Sequence, residues 1–247
     1  MPGTCREWRY RIGVIYIASS TVLEREWKAV LPCEVSFHVA RIRLRDGGEA
    51  TRDSIWGMVS SKQVEQAAEM LGEAGVDIIA FACTIGSLIG GHEWDRRLSE
   101  RIEKVAGVRA TTTSTEVVNA LKTLGCRTLT VVTPYIEELN ALEKRFLEHH
   151  GFQVLSIKGF NKRYDQDIAR ITPDEIRSLV REVDTPQANC IFLSCTNMRS
   201  LEAIETLEKE LGKPVISSNS ATLWGCLKKL GYGRPIKGYG VLLEKYL

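Results

Sequence analysis

Two cysteines stand at matching places in two similar stretches of this sequence. Cys83 follows the apolar run VDIIAFA, Cys195 follows the apolar run CIFLS, and a threonine comes directly after each cysteine. A thiol can exchange a proton with a carbon atom beside a carboxylate, and a thiolate can add to an activated double bond. Two such groups on opposite sides of a small acid would suit either chemistry.

The runs before these cysteines predict where the thiols lie. Continuous apolar runs are typical of buried strands in a parallel sheet, and the carboxyl ends of such strands border the ligand crevice. Because backbone N–H groups at the turns after the strands favour anions, we expect the pKa of Cys83 and of Cys195 to lie below the ordinary thiol value of about 8.5. The simpler alternative is inert packing, but the repeat of one arrangement favours a reactive pair.

Apolar runs and amphipathic helical stretches alternate along the chain. The runs that predict buried strands are RIGVIYI (11–17), VDIIAFA (76–82), TLTVVT (128–133) and CIFLS (190–194). Thr133-Pro134 and Thr172-Pro173 each have the form of a helix N-cap followed by proline at the first helical position. Strands that alternate with helices predict βαβ units and a mostly parallel sheet.

A second pair of segments indicates an internal duplication. VRATTTSTEVVNALKTLG (108–125) aligns with PVISSNSATLWGCLKKLG (214–231), in the same order as the two cysteine segments. We therefore expect an α/β fold of two lobes related by a pseudo-twofold axis, each with a mostly parallel sheet and with a cleft between them. The predicted N-terminal lobe covers residues 1–115, with 220–247 packing back on it, and the C-terminal lobe covers residues 116–219.

Composition excludes several function classes. The chain has 247 residues, 33 Lys and Arg against 31 Asp and Glu, and a formal net charge of +2. A balanced charge without basic runs indicates no nucleic-acid partner, and no apolar stretch is long enough to predict a membrane span. No cluster has the spacing of zinc ligands, so no metal is expected.

Cysteine usage points to a reducing compartment. Seven cysteines at scattered spacings predict free thiols in a cytoplasmic protein. For those outside the matched pair, simple burial in the core is expected, since cysteine is among the most buried residue types. These are Cys5, Cys33, Cys126, Cys190 and Cys226.

Four motifs resemble those of a known family. FACTIGS (81–87), TPY (133–135), SCTNMRS (194–200) and GKPVISSNSATLW (212–224) are similar to motifs of the maleate cis–trans isomerase group. That group belongs to the aspartate/glutamate racemase superfamily, with arylmalonate decarboxylases and ectoine-utilisation proteins as relatives. The resemblance runs over nearly the whole chain. It implies two flavodoxin-like lobes around a central cleft, a small carboxylate substrate, no cofactor or metal, and a homo-oligomer.

The same resemblance assigns roles to individual residues. Cys83 matches the cysteine that adds to the alkene carbon, and Cys195 matches the cysteine that exchanges a proton with the substrate or its adduct. The implied substrate-binding residues are Ser20, Thr84, Ile85, Tyr135, Asn161, Asp165, Thr196 and Asn197. Donors aimed at a carboxylate would stabilise the enediolate-like charge that develops during reaction.

Two positions depart from the family pattern. Ser20 stands where the isomerases carry an asparagine, and serine has a shorter reach and a different set of donors. A second family asparagine has Asp165 as its nearest match, with Asn161 as the substitute in a shifted alignment. Because an ionised aspartate would repel a dicarboxylate, Asp165 is expected to serve an amino group or to point away.

The sequence therefore predicts a cofactor-independent isomerase that converts maleate to fumarate, or a close relative of that reaction. Three alternatives stay open at this point. An amino-acid racemase would use the two thiols as opposed bases, and an arylmalonate-type decarboxylase would keep only the second cysteine. A non-catalytic carboxylate-binding protein would have ordinary thiol pKa values. The glycine-rich segment GSLIGG (86–91) is expected to be a flexible loop over the cleft.

Overall fold

Two parallel sheets form the framework of the computed structural model, which describes residues 9–44 and 46–247. The first sheet has the order β2-β1-β3-β4 and the second the order β6-β5-β7-β8, and all these strand pairs are parallel. The strands are β1 (Tyr10–Ile17), β2 (Val35–Ile42), β3 (Ile78–Ala82), β4 (Arg109–Thr112), β5 (Thr128–Thr133), β6 (Gln153–Gly159), β7 (Cys190–Leu193) and β8 (Val215–Ser217). The two sheets share one strand order, which confirms the predicted pair of related α/β lobes.

Helices connect the strands and cover the sheets. They are α1 (Val22–Val30), α2 (Arg52–Val59), α3 (Gln63–Glu73), α4 (Thr84–Leu88), α5 (Trp94–Ala106), α6 (Thr113–Thr123), α7 (Glu137–His149), α8 (Asp165–Ile168), α9 (Pro173–Val183), α10 (Leu201–Leu211), α11 (Ser218–Lys229) and α12 (Val241–Lys245). In the described part of the chain, none of them has the length and apolarity to cross a membrane.

The central strands β3 and β7 are buried along more of their length than the edge strands β2 and β6. β3 and β7 are buried along their whole length, as continuous apolar runs require when helices cover both faces of a sheet. The edge strands β2 and β6 mix buried with partly exposed positions. A half-exposed edge strand leaves no continuous apolar run, and β6 for this reason has no counterpart among the predicted strands.

The C-terminal segment lies against elements of the first half of the chain. Thr222 donates a hydrogen bond from Oγ1 to Thr113 Oγ1 at 3.0 Å, and Trp27 donates from Nε1 to the carbonyl of Asn219 at 3.2 Å. The lobe boundary between residues 115 and 116 stays a prediction, and that position falls inside α6.

One of the two predicted helix starts is confirmed, and the other is wrong. Thr172 is the N-cap of α9, and its side chain and that of Glu175 form a capping box with Pro173 in the first turn. Thr133 instead ends β5, and α7 begins only at Glu137. The segment after Thr133 turns to pair with another part of the chain, where the Pro134 carbonyl accepts from the N–H of residue 162.

The expectation of free thiols is wrong for one pair of cysteines. Cys126 and Cys190 form a disulfide with a Cα–Cα distance of 5.7 Å, within the range that a disulfide spans. They meet because β5 and β7 are parallel neighbours: Cys190 pairs with Leu129 of β5, and Cys126 lies three residues before Leu129. Cys33 is exposed rather than packed in the core, and Cys226 is buried as predicted. Cys5 lies outside the described residues.

Candidate active site

The carboxyl ends of four strands meet around one buried cavity, called here the central cavity. β1 leads to Ser20, β3 to Cys83, β5 to Tyr135 and β7 to Cys195, so each lobe contributes one cysteine. Eight of the predicted site residues line it: Ser20, Cys83, Thr84, Ile85, Tyr135, Asp165, Cys195 and Thr196. The matched pair of cysteines is thus brought to one site, as the duplication predicts.

The central cavity is narrow. The volume open to a water molecule is about 20 Å³, room for about one water. Apolar side chains complete its wall: Ile17, Leu44, Ala50, Ile55 and Ile168. A four-carbon acid can enter only if parts of this wall move.

The structure places two predicted substrate-binding residues away from the cavity wall. Asn161 is exposed and has a φ of 54°. Asn197 is buried, and its amide ties two segments together: Nδ2 donates to the carbonyl of Asp165, and Oδ1 accepts from the N–H groups of Thr21 and Val22. Of the two candidates for the second family asparagine, it is Asp165 that lines the cavity.

Cys83 lies between β3 and α4 as the N-cap of that helix. Its Sγ accepts a hydrogen bond from the N–H of Gly86 at 3.3 Å. A Cβ at position 86 would lie 2.9 Å from this sulfur, so the close approach requires glycine. The expected flexible loop is wrong here, because residues 84–88 form the buried helix α4, and Ser87 Oγ bonds to Ser114 Oγ at 2.6 Å.

Cys195 is held in a backbone conformation that L-residues rarely adopt. Its φ is 100°, its N–H donates to Ser218 Oγ at 3.0 Å, and its Sγ accepts from the N–H of Asn197 at 3.4 Å. Such strain costs on the order of 1–3 kcal/mol, and it persists only where the surrounding contacts fix the geometry. The thiol of Cys195 is therefore positioned at a cost in stability.

Burial opposes the predicted ionisation of both thiols. It raises the pKa of Cys83 to about 12 and that of Cys195 further, and the negative charge of Asp165 adds to both effects. The expected thiolates are wrong for the unliganded protein. The N–H of Gly86 at Cys83, and the N–H of Asn197 with the Tyr135 hydroxyl at Cys195, offset the loss of hydration only in part. Both thiols carry their protons at rest.

A carboxylate has donors beside Cys83. Within the described residues, the N–H groups of Thr84 and Ile85 donate to no other group, as expected in the first turn of a helix. Burial, followed by the charge of Cys195, raises the pKa of Tyr135 well above its ordinary value, so the phenol keeps its proton. The two N–H groups can hold a carboxylate next to the sulfur of Cys83, and the Tyr135 hydroxyl adds a donor near Cys195.

Ser218 is a site residue that the sequence reasoning missed. Its hydroxyl lies 2.8 Å from Thr84 Oγ1 and accepts from the N–H of Cys195, so it links the two cysteine turns. Tyr16 ties β1 to the Cys195 turn, because its hydroxyl donates to the carbonyl of Thr196 at 2.9 Å. The serine-rich turn of the duplicated segment could have indicated Ser218 as a site residue. No sequence pattern indicated Tyr16.

Glu143 is a second missed residue, buried behind Cys195. Its Oε1 accepts from Ser194 Oγ at 2.6 Å, while its Oε2 is buried without a partner. Burial raises the pKa of Glu143 to about 8, against a smaller opposite effect of the Ser194 hydrogen bond. Its place in the middle of α7 carried no sequence signal.

The raised pKa of Glu143 predicts a pH-dependent stability. The folded protein binds the proton of Glu143 more tightly than the unfolded chain does, so stability falls as pH rises from about 4.5 towards 8. Between pH 6 and pH 9, we expect the unfolding free energy of the wild type to fall by about 2–3 kcal/mol more than that of Glu143→Gln. Urea unfolding at both pH values measures this.

A matched control for this prediction lies on the same helix. Glu148 pairs with Lys144 at 3.8 Å and is largely exposed, so Glu148→Gln should keep the wild-type dependence. Glu26, whose pKa burial raises to about 7, contributes the same slope to all three proteins. Equal pH dependence in Glu143→Gln and the wild type would contradict the assignment.

Fold and site together define a class of protein: a two-lobed α/β protein with one buried thiol from each lobe at a shared cavity that can hold a carboxylate. The family model described as arylmalonate decarboxylase matches residues 29–243. The chain belongs to the arylmalonate decarboxylase family.

Individual relatives agree with this family. The maleate isomerase of Pseudomonas putida is 26% identical over 248 residues, which cover 95% of this chain and 97% of that protein. The arylmalonate decarboxylase of Bordetella bronchiseptica is 29% identical over 184 residues, which cover 72% of this chain and 75% of that protein. A crystal structure of a Cys-to-Ala variant of maleate isomerase from Pseudomonas putida S16 with maleate has a TM-score of 0.89 at 25% identity, and covers 96% of this chain and 98% of that one.

These similarities confirm three predictions. The fold is that of the maleate isomerases and arylmalonate decarboxylases, the resemblance to their superfamily holds over nearly the full chain, and the protein is an enzyme of the isomerase type. Within the described ranges, no three His, Cys, Asp or Glu side chains come together as a metal site. The roles of the individual site residues stay predictions.

Proposed function

We propose that this chain is a cis–trans isomerase of the maleate type, in which Cys83 is the nucleophile and Cys195 the acid and base. One observation carries the proposal: two buried thiols, one from each lobe, line a single cavity beside a group of carboxylate donors. The similarity to maleate isomerases over nearly the full chain supports it. A decarboxylase would need only one of the two thiols.

The reaction starts from two protonated thiols. Cys83 Sγ forms a bond to one alkene carbon, and the electron pair of the double bond moves towards the neighbouring carbon. Cys195 delivers its proton to that carbon and is reprotonated by the proton that leaves Cys83. The former double bond is now a single bond and can rotate.

Elimination then restores the double bond in the trans geometry. Cys195 Sγ takes the proton back from carbon, the carbon–sulfur bond breaks, and the proton that Cys195 held returns to Cys83. Thr84 and Ile85 N–H groups and the Tyr135 hydroxyl stabilise the enediolate-like charge on the adjacent carboxylate in both steps. Substrate atoms are rearranged without a net gain or loss.

The test is proton NMR of the purified protein with maleate. We expect the maleate signal to fall as a fumarate signal rises. Cys226→Ala is a matched control, because Cys226 is a buried free thiol in α11 that does not line the central cavity, and this variant should keep the wild-type rate. Unchanged maleate over many hours at high enzyme concentration would refute maleate isomerisation.

A racemase is the second candidate, and Asp165 is the observation that favours it. A carboxylate on the cavity wall could bind the ammonium group of an amino acid while the two thiols act as opposed bases on the α-carbon. The same NMR measurement in D2O with aspartate and glutamate decides this. Loss of the α-proton signal without maleate turnover would replace the isomerase by a racemase.

We also propose that the enzyme acts in the cytoplasm as a homo-oligomer on a small carboxylate. The family resemblance supports the small carboxylate and the oligomer, and the free thiols of Cys83 and Cys195 fit a reducing compartment. Light scattering of the purified protein measures its mass in solution. A mass of 27.7 kDa would identify a monomer and contradict the oligomer.

A further inference from the structure

The charge on the wall of the central cavity is unusual for a site that would bind a dianion. Among the described residues that line it, there is no lysine, arginine or histidine, and Asp165 is the one carboxylate. The thiols and the phenol are neutral at rest, because burial raises their pKa values. A dicarboxylate in this cavity would meet a third negative charge and no positive one.

Asp165 itself is held by two serine hydroxyls through one carboxylate oxygen. Its Oδ2 accepts from Ser19 Oγ and from Ser20 Oγ, each at 2.7 Å. Burial raises the pKa of Asp165, while hydrogen bonds from Ser20, Ser19 and Asn197 favour its ionised form. A ligand that donates a hydrogen bond to Oδ1 would add to this set of donors.

The donors that a second carboxylate would need are already engaged in hydrogen bonds to Asp165. The hydroxyl protons of Ser19 and Ser20 are directed at Asp165, and Asn197 Nδ2 donates to the carbonyl of Asp165. The nearby Arg41 guanidinium donates to backbone carbonyls, including that of Ser20, and pairs with Glu24. This end of the cavity offers an acceptor where a dicarboxylate requires donors.

Hydrogen-bond donors line another part of the same wall. The N–H groups of Thr84 and Ile85 directly follow Cys83, and the hydroxyl of Tyr135 lies near Cys195. A substrate that contacts these donors and Asp165 together would place a carboxylate at the donors and a hydrogen-bond donor at Asp165.

We propose that the group facing Asp165 is a carboxamide, and that the enzyme isomerises the monoamide of maleate in preference to maleate. This inference rests on the proposed isomerase function and specifies its substrate. The amide N–H donates to Asp165 Oδ1, the single carboxylate binds beside Cys83, and the amide is unchanged by the addition and elimination steps. The product is the monoamide of fumarate.

Asp165→Asn gives the sharpest test of this specificity. The Oδ1 of the asparagine can accept from the two serines as Asp165 Oδ2 does, while its Nδ2 puts a donor in the place of Asp165 Oδ1. We expect wild-type kcat/KM to favour the monoamide over maleate by about 10- to 100-fold, and Asp165→Asn to reverse this preference. Asp167→Asn is the matched control, since Asp167 pairs with Arg170 outside the cavity and should leave the preference unchanged.

Binding of unreactive analogues separates this inference from the proposed function. Succinate and its monoamide lack the double bond, so calorimetry measures their affinities whether or not the protein turns over any substrate. Tighter binding of the monoamide by the wild type, reversed in Asp165→Asn, supports the inference. Tighter binding of succinate by the wild type overturns it, and absence of turnover with both unsaturated acids overturns only the isomerase.

Discussion

Replacing Cys83 with alanine is expected to lower the rate of cis–trans isomerisation by about 10⁴-fold or more, because it removes the sulfur that bonds to the alkene carbon and lets the double bond rotate. The sulfur lies directly after β3, fixed by the N–H of Gly86 and next to the carboxylate donors of Thr84 and Ile85. Fumarate formation followed by NMR measures the loss. Cys226→Ala, which removes a buried thiol outside the cavity, should retain full activity.

A covalent readout makes this prediction specific to Cys83. Acid quenching of the wild type during turnover, followed by peptide mass spectrometry, should show the mass of one substrate on the peptide that contains Cys83. The adduct should be absent from Cys83→Ala. An adduct on Cys195, or substantial activity in Cys83→Ala, would exchange the roles of the two thiols.

Replacing Cys195 with alanine is expected to lower the rate by about 10³-fold, the usual contribution of a positioned acid and base. Cys83 could still approach the alkene in this variant, but the neighbouring carbon would have no proton donor and the adduct would not complete. The same NMR assay measures the loss. Wild-type activity in Cys195→Ala would show that the proton comes from another group.

Stability gives an independent check on Cys195. Its φ of 100° is unfavourable for any residue with a Cβ, whereas glycine adopts this region without strain. We expect Cys195→Gly to be more stable than Cys195→Ala by about 1 kcal/mol, with both variants inactive. Denaturant unfolding compares the two. If the alanine variant were the more stable, the inference that the backbone at position 195 is strained would be wrong.

The strained backbone at Cys195 and the raised pKa values of both thiols fit a mechanism that starts from protonated, fixed thiols. A resting thiolate in a closed cavity would repel an incoming carboxylate, and a protonated pair does not. Each thiol can then give or receive a proton only when the substrate completes the path between Cys83 and Cys195. The unusual backbone conformation of Cys195, which costs stability, positions its sulfur on that path.

The local pattern of the sequence was sufficient for much of the fold and for the location of the site. Apolar runs predicted the central strands, since a strand covered on both faces must be apolar at every position. The repeated strand–cysteine–threonine order predicted the two thiols at the carboxyl ends of β3 and β7. The N-cap at Thr172, followed by Pro173, was also a local feature, and it was predicted correctly.

Features that depend on neighbours distant in the chain were predicted poorly. Cys126 and Cys190 come together only because β5 and β7 pair in parallel, and nothing in their spacing indicates this. Glu143 reaches Ser194 across 51 residues. The edge strand β6 lacks the continuous apolar run by which the central strands were found, since half-exposed positions need no apolar side chain.

The sequence by itself determined the residue types at the site, the duplicated lobes that carry them and the two departures at Ser20 and Asp165. Only the tertiary structure decided the protonation of the thiols, because hydration lost on burial depends on every element that closes the cavity. It also decided that Asp165 faces the cavity while Asn197 serves as a tie between segments. The direction of a side chain depends on its packing against elements that are distant in the sequence. The neighbouring residues in the sequence therefore do not predict it.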